Sequence, residues 1–106
     1  MTAVNSLERL TSLVNSVAKA ENIRLLALDV DGVLTDGGLY IGAGGESCKR
    51  FNVQDGLAIS CAIRNNLIVA IITGRQSEIV CRRAAELGIT EIYQGVKDKK
   101  EMLKNI

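Results

Sequence analysis

Residues 25–38 read "LLALDVDGVLTDGG", an apolar run that breaks into three acids and three glycines. Asp29 and Asp31 stand two residues apart at the end of the run. Carboxylates that close repel, and each resists burial unless it is paired or bound to a cation. The run from Ile23 to Val30 is nearly continuous in its hydrophobicity, the pattern of a strand buried on both faces of a parallel sheet.

Working outward, a second such run, "LIVAII" at Leu67 to Ile72, ends in Thr73-Gly74-Arg75, and "TEIYQG" at Thr90 to Gly95 forms a third, shorter strand. Between the first two, residues 55–66 place Leu57, Ala58, Cys61 and Ala62 on one helical face. Residues 76–87 do the same with Ile79, Val80, Ala84 and Leu87, then stop at Gly88. Another helix begins near Lys97. Strand, helix, strand, helix, strand predicts an α/β fold, a Rossmann-like parallel sheet with flanking helices. The glycines from Gly42 to Gly45, flanked by extended-looking segments, predict a β-hairpin at about 38–51 that protrudes from this frame. Residues 1–20 are expected to form a separate amphipathic helix, with Leu7, Leu10, Leu13, Val14 and Val17 at helical spacing and Asn5 with Glu8 as its candidate cap.

Composition narrows the function. At 106 residues the chain holds one domain at most, here residues 21–106, and its hydrophobic share of 47% suits a globular core. A net charge of +1 leaves no electrostatic footprint for nucleic acid or an anionic membrane. One Phe, two Tyr and no Trp offer no platform for stacking bases. No apolar stretch reaches the roughly 18 residues that span a bilayer. The N-terminus lacks a signal-peptide pattern, which predicts a cytoplasmic protein. Three cysteines with no CxxC, and no His, make a zinc site unfavourable. Cys61 and Cys81 are read as core residues, and Cys48 is given no role.

Ligands of open α/β sheets bind beyond the carboxyl ends of the strands. That edge receives Asp29 and Asp31 from the first strand, Thr73 and Arg75 from the second, and Lys97, Lys99 and Lys100 after the third. The set suits phosphoryl transfer. One carboxylate attacks phosphorus, a second protonates the leaving oxygen and later deprotonates water, and a hydroxyl and an ammonium hold the phosphoryl oxygens. A hard cation such as Mg²⁺ lets two carboxylates and a phosphate share the space.

"DVDGVLT", then "IITGR" and a downstream lysine, resemble the motifs of the haloacid dehalogenase superfamily, and "FNVQDGLAI" and "LGITEIYQG" resemble its small-cap branch. The resemblance covers Ala20 to the C-terminus. It implies a Mg²⁺-dependent phosphatase acting through an aspartyl phosphate on a sugar-acid phosphate, 3-deoxy-D-manno-octulosonate 8-phosphate, in lipopolysaccharide biosynthesis. A nine-carbon sugar acid is the neighbouring alternative. By the same resemblance Asp29 is the nucleophile, Asp31 the general acid/base, and Lys99 the motif lysine. Thr73, with Gly74 and Arg75, binds the substrate's phosphoryl group. The resemblance also implies that the Asp29 carboxylate and the Asp31 backbone carbonyl serve the metal, together with a later acidic segment that does not occur by Ile106, so the domain is expected to be incomplete. A hairpin in place of a cap implies a homotetramer.

Plainer readings stand beside these. Asp29-x-Asp31-Gly32 alone also fits a turn, Thr73 fits a helix cap, Arg75 fits an ion pair with Glu78, and Gly42 to Gly45 fit a hairpin turn. Asp36 reads as a solvated turn residue. A receiver-like signalling module would carry its phosphoacceptor at Asp55, and a non-catalytic module would oligomerise through the hairpin.

Overall fold

The computed structural model describes residues 8, 9, 11, 12, 15 and 21–106. The apolar positions of the expected N-terminal helix lie outside the described residues. The rest is an α/β fold of two sheets and three helices. Strands β1 (Leu25–Leu28), β4 (Ile68–Ile72) and β5 (Glu91–Tyr93) form a parallel sheet in the order β1-β4-β5. Its register pairs Leu26 with Val69 and Ile71 with Ile92. Strands β2 (Tyr40–Gly42) and β3 (Gly45–Cys48) make the expected antiparallel hairpin, closed at its base by a bridge between Thr35 and Phe51.

Of the two runs expected to be buried on both faces, β4 is and β1 is not. Val69, Ala70, Ile71 and Ile72 are all buried, whereas Leu26 is 39% exposed and Ala27 is exposed too. The cause is position. β4 has a partner on each side, while β1 stands at an edge of the sheet among the described residues. β1 is also shorter than its apolar run, because Val30 already belongs to the turn. Its carbonyl accepts the amides of Val33, Leu34 and Thr35, which curls the chain tightly just beyond Asp29.

Helix α1 (Val53–Arg64) is capped by Asn52, whose side chain accepts the amides of Gln54 and Asp55. Helix α2 (Glu78–Leu87) starts at the Ser77 cap and ends at Gly88, whose φ of 85° needs a residue without a Cβ. Ile59 of α1 and Val80 and Ala84 of α2 pack with Val30, Val69, Ile71 and Ile89 in one core. The face expected of α2 is thus the buried one, with Ile79 and Leu87 half-buried.

The face expected of α1 is not. Leu57, Ala58 and Cys61 are exposed, and Gly56 and Ile59 are buried in their place. This helix is apolar over more than one face, so periodicity alone does not choose. The choice falls to its contact with α2, where a Cβ on Gly56 would lie 3.1 Å from Leu87 Cδ2. Cys61 and Cys81 are both exposed free thiols rather than core residues.

Candidate active site

The carboxyl ends of β1, β4 and β5 face one edge, and the side chains after them meet there. Asp29 follows β1. Its Oδ1 accepts the Val30 amide at 2.7 Å, and its Oδ2 accepts Lys99 Nζ at 2.8 Å. Lys99 is the first residue of α3 (Lys99–Lys104), a short helix capped by Asp98, whose side chain accepts the Glu101 amide at 3.0 Å. Partial burial pushes the Asp29 carboxyl up, but Lys99, the Val30 amide and the Thr73 hydroxyl outweigh it and hold the group below the usual carboxylate range. Asp29 is therefore ionised at neutral pH.

Thr73, at the end of β4, is 2% exposed. Its amide donates to Tyr93 of β5 and its carbonyl accepts the Val96 amide, so β4 and β5 together fix it beside Asp29. The lysine, the threonine and the first aspartate thus come together as expected. Lys97 and Lys100 stay exposed, as do Gly74 and Arg75. The ion pair expected between Arg75 and Glu78 is not among those of the described residues, and the positive charge of Arg75 acts instead on Glu46 of the hairpin.

Asp31 takes a different partner. Lys49 Nζ, just beyond β3, donates to Asp31 Oδ1 at 2.8 Å and to Glu46 Oε2 at 2.9 Å. Glu46 Oε1 in turn accepts from Ser77 Oγ at 3.0 Å, at the start of α2. Burial pushes the Lys49 ammonium down, and its two carboxylate partners more than reverse that, so it stays charged. Sequence reading passed over Lys49 and Glu46. Their roles rest on a contact 18 residues long with Asp31, which leaves no local signal in the sequence.

Thr35 is a third residue without an expected role. It is 9% exposed, and its Oγ1 accepts the amides of Gly32 at 3.2 Å and Gly37 at 3.1 Å, pinning the loop that carries Asp31. Gly32 and Gly37 both have φ near +80°, which explains the glycines flanking that loop. Asp36 is exposed and accepts the Gly38 amide, the solvated turn residue expected. Gly42 to Gly45 form the hairpin turn. Asp55 lies in the first turn of α1 and not at a strand end, so the receiver-like reading loses its phosphoacceptor.

Among the described residues no group of three or more His, Cys, Asp or Glu side chains is gathered as a metal cluster. The donors that are present fit Mg²⁺ in kind. Asp29 offers a carboxylate and Asp31 a backbone carbonyl, both hard oxygens, and Mg²⁺ commonly takes only one or two carboxylates, with water and substrate phosphate completing its shell. Both side chains are partly open to solvent, at 37% for Asp29 and 26% for Asp31. No helix of the described residues is long and apolar enough to cross a membrane.

No family model matches the chain. It is 59% identical over 83 residues to the 3-deoxy-D-manno-octulosonate 8-phosphate phosphatase KdsC of Escherichia coli strain K12, covering 78% of this chain and 44% of that one. The crystal structure of 3-deoxy-D-manno-octulosonate 8-phosphate phosphatase from Yersinia pestis matches with a TM-score of 0.80 at 49% identity, over 84% of this chain and 48% of that one. The same enzyme from Moraxella catarrhalis, in complex with magnesium ion, phosphate ion and a KDO molecule, matches with a TM-score of 0.79 at 48% identity, over 83% and 51% of the two chains. The chain spans about half the length of the relatives it matches.

Proposed function

The chain belongs to the haloacid dehalogenase superfamily, in the branch of the 3-deoxy-D-manno-octulosonate 8-phosphate phosphatases, and from that premise we propose that it hydrolyses a sugar-acid phosphate through an aspartyl phosphate on Asp29. The observation that carries this reading is Lys99 Nζ at 2.8 Å from Asp29 Oδ2, with the buried Thr73 hydroxyl also lowering that carboxyl. A surface ion pair needs no threonine buried beside it, whereas a nucleophile facing a phosphoryl group needs both a cation and a donor.

The chemistry follows from the side chains. Asp29 attacks phosphorus, and the ester bond breaks with its electron pair on the sugar oxygen. Asp31 gives that oxygen a proton. Asp31 then takes a proton from water, which attacks the aspartyl phosphate, frees phosphate and restores Asp29. Lys99 and Thr73 hold the phosphoryl oxygens. Asp29, through its carboxylate, and Asp31, through its backbone carbonyl, would hold a Mg²⁺ ion, which when bound neutralises phosphoryl charge. The magnesium, phosphate and KDO in the Moraxella catarrhalis relative support the metal and the substrate class.

The substrate of this reading is 3-deoxy-D-manno-octulosonate 8-phosphate, cleaved to the free sugar acid and phosphate in the cytoplasm for lipopolysaccharide synthesis. The working form is a homotetramer. Tyr40 and Ile41 of the hairpin, 42% and 67% exposed, supply apolar surface that a neighbouring subunit would cover. The test is phosphate release from this ester and from a nine-carbon sugar-acid phosphate, with and without Mg²⁺, beside Asp29→Asn. Mg²⁺-dependent release lost in the variant is the expected result. Release by Asp29→Asn equal to wild type overturns the reading.

A further inference from the structure

Lys49 has a side chain only 3% exposed, held between Asp31 and Glu46. An ammonium does not leave water for stability alone, because desolvation offsets most of what a buried ion pair returns. What such a pair supplies is a fixed geometry. Here the geometry is specific. Lys49 takes one oxygen of Asp31, Oδ1, and no described donor bonds the other. A residue that must give and take a proton needs one oxygen anchored and one free.

The anchor is itself held. Glu46 binds Lys49 through Oε2 and the Ser77 hydroxyl through Oε1. The Ser77 amide donates to Gln94 Oε1 at 2.7 Å, just past β5. A continuous chain of bonds thus runs from the loop after β1, through the hairpin, to the start of α2 and the end of β5.

The geometry points to Lys49 as a positioning residue for Asp31, which orients it as the proton donor to the departing sugar oxygen, and through which the hairpin becomes part of the catalytic apparatus. This rests on the phosphatase reading above. In the step concerned, the Asp29–phosphorus bond forms, the phosphorus–sugar oxygen bond breaks, and the proton leaving Asp31 neutralises the sugar alkoxide. An alkoxide needs that proton, while p-nitrophenolate departs without it. Loss of positioning therefore penalises one ester and spares the other, whereas loss of general structure penalises both.

The experiment compares kcat/KM, which reports only the steps up to departure of the leaving group, for 3-deoxy-D-manno-octulosonate 8-phosphate and p-nitrophenyl phosphate. The full chain is used as wild type, Lys49→Met and Lys49→Arg. Lys49→Met is expected to lose about 100-fold on the sugar ester and less than about threefold on the aryl ester. Lys49→Arg, which keeps the charge, recovers most of the sugar-ester loss. If Lys49→Met does not fold, as judged by circular dichroism, Lys49→Gln takes its place with the same expected split. Equal losses on both esters overturn the inference and leave the phosphatase standing. A wild-type chain that cleaves neither ester overturns the phosphatase reading, and the inference with it.

Discussion

Lys99 and Asp29 lie 70 residues apart in the chain and 2.8 Å apart in the fold. The short helix α3 starts at Lys99, and the turn after β5, where Gly95 adopts a φ of 66°, brings that start back to the end of β1. Both side chains are partly exposed, so the pair contributes little to folding and its value is to the chemistry at Asp29.

Lys99→Met separates those two roles. Phosphate release is expected to fall about 100-fold, the loss typical of removing one preorganised donor from a developing charge. Stability, read from the urea midpoint, changes by less than about 1 kcal/mol. A variant that keeps its activity places the lysine outside the reaction.

Thr35→Val removes one hydroxyl and leaves the amides of Gly32 and Gly37 without their acceptor. Valine has nearly the same shape, so the cost is polar rather than steric. A loss of about 1–3 kcal/mol in unfolding free energy is expected, with reduced turnover because the loop carries Asp31. Unchanged stability in urea would show that water satisfies both amides.

Glu46 sets a pH dependence. The hydrogen bond from Lys49 lowers its carboxyl against partial burial, and Ser77 and the charges of Lys49 and Arg75 add to the lowering, so it sits below the usual carboxylate range. A carboxyl depressed on folding contributes stability that is present above its unfolded pKa and lost as pH falls through its folded pKa. Wild type is therefore expected to melt above Glu46→Gln at neutral pH, with the gap closing as pH falls below the ordinary glutamate pKa of about 4.3. Thermal melts from neutral pH to below that value check it, and a constant gap contradicts it.

The two strand-end motifs made the frame readable. Continuous apolar runs ending in Asp29 and in Thr73 fixed the parallel sheet and the edge where the site lies, and the resemblance picked Lys99 out of a charged run. Periodicity failed on α1, where Cys61 and Leu57 match a helical face yet face solvent. Both faces of that helix carry apolar residues, and only the approach of α2 at Gly56 decides between them. Lys49 and Glu46 were hidden for another reason. Their roles depend on the hairpin folding back over the loop of Asp31, a contact 18 residues long that no local pattern encodes. The place of β1 at the sheet edge likewise follows from strand order, which burial patterns in one strand do not reveal.

The central step of the proposed reaction is a covalent phosphate at Asp29. The direct measurement is acid-quenched mass spectrometry of the chain mixed with 3-deoxy-D-manno-octulosonate 8-phosphate and Mg²⁺, as wild type, Asp31→Asn and Asp29→Asn. Phosphate on the peptide containing Asp29 is predicted in the wild type, with none in Asp29→Asn. In Asp31→Asn the label that forms is predicted to outlast the wild-type label, because water then lacks its base. Phosphate that persists in Asp29→Asn, or turnover with no phosphate on that peptide in any form of the chain, would contradict the account.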